Sequence, residues 1–474
     1  MNILSNFLTS DYNYTWMIIC QIGIISVILL LGNTIRRLTF FKKMLIPTAI
    51  IAGFIGLGLK YLINFISNSY FDFTLMPNEF YESITYHGIA IGFIAMGLKE
   101  EKKNGAFQGH PFKSGLLIVS TYLLQGVIGL TITIIIAFIF TGFPNYSGII
   151  LPLGFGQGPG QAGNIGGVYE QAGFIGGKSF GLMIAIMGTI SASIGGIFYI
   201  NKNKVERKND TNNTYTEALV DSDKEISLSE SIDKFTIQVS LVGFTYLLTF
   251  GFIYLVTRIL PAGSISSLVW GFNFLIGMLF AILVKLVMKF LRKKNIMKHK
   301  YTNNYMLNRI TGIVFDFMVI CSIMAIEVEK LNSKEMWITL ALLGVIGLFS
   351  TYFYVKFIVK KCFIGYEHEA FAVFYGNLTG TASDGIALLR EIDPEFKTPA
   401  SDDLVTGSST AIMFGFPILL ITGIINTSNL WTYLSYVLLI VLFFVFFYFL
   451  YFFKGVIGKK KGVIPLAGEE KKDE

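Results

Sequence analysis

Apolar residues along this chain come in long blocks, neither alternating as in a half-buried strand nor striped as on a soluble helix. Read with a window of about 19 residues, the blocks fall near 16–35, 44–66, 84–98, 115–140, 179–200, 235–257, 266–290, 310–327, 336–358, 403–425 and 431–453. Most are close to the roughly 20 residues that a helix needs to cross hydrocarbon. The pattern therefore predicts an all-α polytopic membrane protein with about eleven spans. No basic region precedes the first block and no small-residue cleavage site follows it, so it is expected to be retained rather than removed as a signal.

The blocks repeat. The starts of the first five and of the sixth to tenth are separated by a nearly constant offset of roughly 220 residues, as in a duplicated unit. Five spans is an odd number, so the second copy enters the membrane from the opposite side and the repeat is inverted. The expected organisation is an N-terminal repeat over 1–200 with a re-entrant loop at 147–175, a polar linker over 201–234, and a C-terminal repeat over 235–425 with a re-entrant loop at 367–394. An extra span and cytoplasmic tail occupy 426–474. The linker is rich in Asn, Asp, Glu, Ser and Thr, a composition that resists packing.

Between the fourth and fifth spans of each copy lies a Gly-rich interruption: GFGQGPGQAGNIGG from Gly154 to Gly167, and GNLTGTASDG from Gly376 to Gly385. The apolar runs before them, 149–153 and 370–375, are too short to cross, so both read as re-entrant hairpins. Non-helical backbone survives at membrane depth only when buried in protein or lining a wet cavity. Glycines allow close ligand approach, and the helix after each break directs its positive end toward it. Freed N–H groups suit a carboxylate; freed carbonyls and Asn, Gln, Thr and Ser oxygens suit Na+. Close helix packing is the competing use of such glycines, and Gly163, Gly166 and Gly167 fit it.

Composition agrees with the pattern. The chain is 53% hydrophobic with 44 Phe, and 15% of its residues are charged, against roughly a quarter in soluble domains; mean hydropathy is +0.61. A net charge of +7 does not indicate nucleic acid, because the basic residues sit in alternate loops: Arg36, Arg37, Lys42 and Lys43; Lys99, Lys102, Lys103 and Lys113; Arg292 to Lys300; Lys356, Lys360 and Lys361; and Lys459 to Lys461. That alternation puts the N-terminus outside and the C-terminus in the cytoplasm. Cys20, Cys321 and Cys362 lack metal or redox spacing and read as buried small apolar residues. No HExxH, GxSxG or Cys/His constellation lies in the spans, so no enzyme is expected.

The candidate substrate-binding residues are Gly156, Gln157, Gly158, Gly160, Gln161 and Asn164 in the first break and Gly376, Asn377, Thr379, Gly380, Thr381, Ser383 and Asp384 in the second. Asp316, Asn377, Thr381 and Asp384 are the candidate Na+ ligands. Thr381-Ala-Ser-Asp384 also fits a capping box, in which the carboxylate serves its own helix; both readings stay open. Asp316 lies inside the eighth span, where an ionisable group is a functional candidate, with pairing to Arg309 as the alternative. Glu367, His368 and Glu369 read as solvated, His87 as a satisfied polar residue, and Glu170 and Lys178 as flanking the first hairpin on its outer side.

These features resemble the bacterial glutamate:sodium symporter family. The likeness runs from Phe40-Phe-Lys-Lys-Met-Leu-Ile-Pro47 through the loop at Gly154 to Ala162 and the span Gly181 to Gly196, and in the second half over Gly365 to Leu389, covering about 16–425 in all. Gln157 stands where that family has a His within Gly-Gly-His-Gly, Pro159 is added, and Gly380-Thr-Ala-Ser-Asp384 replaces Gly-x-x-Pro-Thr-Ala. The resemblance implies sodium-coupled symport of glutamate or a related small carboxylate by alternating access of an elevator-like kind. It implies no cofactor beyond Na+ as coupling ion, a homodimer in lipid at the inner (cytoplasmic) cell membrane, and a moving unit built from the spans flanking the hairpins. A hydroxy- or dicarboxylate symporter is the alternative within that class, and an anion channel the alternative outside it.

Overall fold

The computed structural model describes residues 11–39, 47–71, 76–100, 111–203, 233–259, 264–297, 299, 301–393 and 398–452. The Phe-Lys-rich turn at 40–46, most of the 201–234 linker and the chain after 452 lie outside the described residues. Among those described there is no strand.

The helices are α1 (Asp11–Leu38), α2 (Thr48–Phe71), α3 (Asn78–Leu98), α4 (Pro111–Ile139), α5 (Ile150–Gln157), α6 (Pro159–Gln171), α7 (Gly177–Lys202), α8 (Lys234–Ile259), α9 (Ser264–Gly271), α10 (Asn273–Lys293), α11 (Asn304–Met324), α12 (Lys334–Cys362), α13 (Glu367–Thr379), α14 (Ala382–Arg390), α15 (Ala400–Ile424) and α16 (Asn429–Phe452). Among the described residues nine helices are long and apolar enough to cross a membrane: α1, α2, α4, α7, α8, α10, α11, α12 and α16. The two other expected spans are helices too. α3 starts at Asn78, before the expected 84, because Pro77 ends the preceding segment and Asn-Glu-Phe-Tyr-Glu-Ser enters the helix; α15 carries Asp402 and Asp403 in its first turn.

Element order repeats as the hydropathy does. α3 and α11 are 21 residues each, α4 and α12 are 29 each, and a pair of short helices follows α4 and α12 alike. One asymmetry escaped the sequence: the block at 266–290 is two helices, α9 and α10, separated at Phe272.

The chain divides into two compact units. The first comprises 1–103, 159–186 and 211–336, and the second 104–158, 187–210 and 337–474, so α7 contributes to both. In the first unit α3 and α11 pack together; α3 also packs on α10 and α8, and α11 on α2 and α1. Glycines let these helices close up: a Cβ on Gly92 would lie 2.0 Å from the Phe315 ring, and one on Gly53 2.7 Å from Ile323. A core of Ile94, Leu98, Val242, Ala281, Leu307 and Ile310 fills the centre of that bundle.

In the second unit α4 packs on α15, α16 and α5, and α13 on α14, α5 and α15. A Cβ on Gly407 would lie 2.4 Å from Ser114 Cβ, so the glycine lets α4 close against α15. The faces left over are greasy: Leu30 is 66% exposed, Leu247 65% and Phe444 62%. Apolar surface of that extent on long helices suits lipid as solvent.

Two buried lysines complete the helix ends. Lys60 of α2 donates from Nζ to the carbonyls of Met324 (2.6 Å) and Ile326 (3.2 Å) and to Asn78 Oδ1 (3.2 Å), closing the C-terminus of α11, where cations are favoured. Lys113, assigned from the sequence to a cytoplasmic loop, is instead buried and donates to the Cys362 carbonyl at the end of α12. Cys321 and Cys362 are buried as expected, but Cys20 is exposed, on a helix of which 22% of the apolar window is buried.

Candidate functional site

The first break is narrower than its glycine content suggests. Most of Gly154 to Gly167 is helical: α5 runs to Gln157, α6 starts at Pro159, and Gly158 alone joins them. Gly158 has φ 84° and ψ −175°, a region essentially restricted to glycine. Pro159 suits the first helical position, whose N–H needs no intrahelical acceptor. The expectation of an extended non-helical stretch is therefore corrected, and the reason is steric. A Cβ on Gly156 would lie 2.0 Å from the Tyr122 ring, on Gly160 2.5 Å from Ile89, on Gly163 2.9 Å from Leu182 and on Gly166 2.4 Å from the Gly177 carbonyl oxygen. These glycines admit neighbours to a helix rather than break one.

The second break lies at Gly380 and Thr381. α13 ends at Thr379, and α14 starts at Ala382 with Thr381 as N-cap. The two helices pack backbone to backbone: a Cβ on Gly376 would lie 2.6 Å from Gly385 Cα. The capping box is formed. Asp384 Oδ2 accepts from Thr381 N (2.7 Å) and from Thr381 Oγ1 (2.8 Å), while Thr381 Oγ1 accepts from Asp384 N (3.4 Å). Gly380 is required here, since a Cβ would fall 2.4 Å from Asp384 Oδ2. Thr379 donates its hydroxyl to the Tyr375 carbonyl at 2.6 Å, and Asn377 is buried one turn before the break. Ser383 sits in the first turn of α14; its side chain lies outside the described set.

The two breaks adjoin. A Cβ built on Gly158 would stand 3.3 Å from Thr381 Cγ2, and both residues belong to the second unit. The same unit holds buried oxygens with no hydrogen-bond donor: Gln157 Oε1, Asp384 Oδ1 and Gln125 Oε1. Gln125, on α4, was not singled out from the sequence. A lone Gln within an apolar span carries no pattern, and only its depth in the fold marks it.

Gly160, Gln161, Asn164 and Asp316 belong to the first unit. Gln161 is buried with Oε1 unpartnered, and Asn164 Nδ2 is likewise unpartnered. Asn164 helps line a cavity of about 500 Å³ with Glu79, Glu82, His87, Lys178 and Trp270. Lys178 pairs with Glu82 at 2.7 Å, and His87 is satisfied by Tyr246 Oη at 2.5 Å, as a lone polar residue should be. Lys330 bridges Glu170 (2.8 Å) and Glu327 (2.5 Å); the hydrogen bonds it donates to these carboxylates hold its ammonium well above the ordinary lysine value. Asp316 is exposed on α11, and the Arg309 guanidinium donates to Tyr305 Oη at 2.9 Å. At the start of α13, a helix length before the second break, Glu367 accepts from the Gly365 N–H at 2.9 Å and His368 Nδ1 lies 3.1 Å from Tyr199 Oη, so this acidic turn serves its own local structure. Among the described residues no three His, Cys, Asp or Glu side chains form a metal-binding group.

The second unit thus holds two helix breaks side by side, one carboxylate fixed by its own helix, and amide oxygens held without donors. No protein-family model matches the chain, and no curated protein matches it at a significant level.

Proposed function

We propose that the protein is a secondary active transporter that couples Na+ to the uptake of a small carboxylate, glutamate or a relative, by alternating access. The observation that carries this reading is the contact of Gly158 with Thr381 amid buried, donor-free oxygens. Two breaks from corresponding places in the chain meet at one point, which helix packing alone does not require. Exchange of partners between the halves supports an inverted repeat: interchanging α1, α2 and α3 with α8, α10 and α11 maps the α1–α2, α2–α11 and α1–α11 contacts onto α8–α10, α10–α3 and α8–α3. On this reading the paired short helices are re-entrant hairpins, and the N-terminus lies outside.

Free N–H groups at the start of α14 attract the carboxylate of the solute, and the amide oxygens attract the cation. Cation binding first lowers the cost of bringing an anion beside Asp384. The capping box favours a second substrate class. With Oδ2 committed to Thr381 and Oδ1 given to the cation, Asp384 has no oxygen left for a substrate ammonium, which points to hydroxy- or dicarboxylates beside glutamate.

Purified protein in liposomes, given an inward Na+ gradient and then K+ in its place, tests both. Sodium-dependent accumulation of labelled glutamate or of a hydroxy- or dicarboxylate is expected. Flux of anions down their gradient with no sodium dependence would replace this reading with a channel.

A further inference from the structure

Gln125 is the one polar side chain of its stretch of α4 whose carboxamide is fixed at both donor positions. It is fully buried. Nε2 donates to Thr351 Oγ1 at 2.9 Å and to the Leu378 carbonyl oxygen at 2.8 Å. A carbonyl oxygen only accepts, so the amide cannot be turned round without setting oxygen against oxygen. Oε1 is thereby held in place with no donor.

Leu378 is the residue before Thr379, at the end of α13. Thr381, beyond the break, holds Asp384 and lies against Gly158, and Gln157 is the residue before Gly158. The three donor-free oxygens, Gln125 Oε1, Gln157 Oε1 and Asp384 Oδ1, are thus linked through one short chain of contacts within the second unit. All are acceptors. Burying acceptors without partners is unfavourable, and a cation beside the breaks is a partner that needs acceptors and no donor. The set carries one formal negative charge and neutral hard oxygens, so it suits a monovalent ion; a divalent one would leave a net charge buried.

We infer that Gln125 Oε1 is a ligand of a Na+ ion held beside the two breaks together with Gln157 Oε1 and Asp384 Oδ1, and that Thr351 and the Leu378 carbonyl are positioning groups that aim it. Its functional meaning rests on the symport reading above; the binding site itself does not.

The test is equilibrium binding of radiolabelled Na+ to the purified full-length protein in detergent, with substrate absent, for the native chain, Gln125→Leu and Thr351→Val. Thermal unfolding without Na+ is measured in parallel. The native protein is expected to bind Na+ saturably, with K+ competing poorly. Gln125→Leu should raise the half-saturating concentration at least about tenfold, and Thr351→Val, which keeps the ligand but loosens it, by a smaller factor of the kind seen for outer-shell partners. If Gln125→Leu does not fold, Gln125→Asn, which withdraws the oxygen by one methylene, serves in its place with the same expectation. Na+ midpoints unchanged in these variants, with only Na+-free stability lowered, would overturn the inference and make Gln125 a packing residue, leaving the symport reading intact. Absence of saturable Na+ binding to the native protein would overturn both. Shifted midpoints in a protein that accumulates no solute would uphold the site and defeat the symport reading alone.

Discussion

Replacing Gly158 by Ala is the sharpest perturbation of the break. At φ 84° and ψ −175° an L-residue sits in a region populated essentially by glycine, at a cost of about 1–3 kcal/mol. The new Cβ would also stand 3.3 Å from Thr381 Cγ2, close enough that the threonine or the break must give by a few tenths of an ångström. If the chain keeps its fold and pays this cost only in the conformation that sets the two breaks side by side, the population of that conformation falls about 5- to 150-fold, since 1.4 kcal/mol is a factor of ten. A second substitution separates the two contributions. Thr381→Ser removes the methyl and keeps the capping hydroxyl, so the pair Gly158→Ala with Thr381→Ser should recover the contact contribution and none of the dihedral one. The assay is initial uptake rate in liposomes at saturating Na+, with thermal unfolding in detergent run on the same preparations. Gly158→Ala with native uptake and native stability would refute the reasoning, because it would mean that the break does not depend on this backbone conformation. Full recovery in the double variant would refute the dihedral argument and leave only the steric one.

Three further outcomes follow from the geometry. Thr381→Ala removes the side-chain acceptor of the α14 cap and should cost about 0.5–2 kcal/mol, read as a lowered unfolding midpoint, with loss of Na+-dependent uptake. Lys60→Met leaves the Met324 and Ile326 carbonyls and Asn78 Oδ1 without their donor; each buried acceptor so stranded costs about 1–3 kcal/mol, so strong destabilisation is expected in thermal unfolding, and a neutral result would argue that water reaches the end of α11. Glu170→Gln should lower stability by under about 1 kcal/mol, because the Lys330 bridge is partly exposed and screened. Its neighbours raise the Lys330 pKa above the unfolded value, so the bridge contributes fully below the unfolded pKa and fades only as pH rises through the folded one; stability differences between native and Glu170→Gln should therefore be flat from about pH 6 to 9.

The spans were legible because an apolar block of helix-spanning length admits few structures once lipid is the solvent. Their edges were less so. Asn78 to Ser83 look polar enough for a loop, yet they open α3, where Lys178 meets Glu82 and Glu79 borders the cavity. The Gly-rich segments were located correctly and read too broadly. Whether a glycine turns the chain or admits a neighbour depends on what stands opposite, and Tyr122, Ile89 and Leu182 are distant or unmarked in sequence. The capping box at Thr381 was readable because both partners lie within one turn. Gln125, Lys60 and Lys113 were not, since their partners are hundreds of residues away.

Capping and ligand binding stood as alternatives for Asp384 when only the sequence was considered, but a carboxylate has two oxygens and the structure separates their use. Oδ2 takes both bonds from Thr381, and Oδ1 takes none. The cap fixes where Oδ1 stands without satisfying it, so the side chain is rigid and still short of a partner. A negative charge in that position favours the binding of a cation. In the symport reading, a cation at Oδ1 neutralises the carboxylate and makes room for the anionic solute, whereas a solute arriving alone meets an uncompensated like charge in a poorly screened interior. The order cation first, solute second then follows from one side chain whose second oxygen is left open by its own helix.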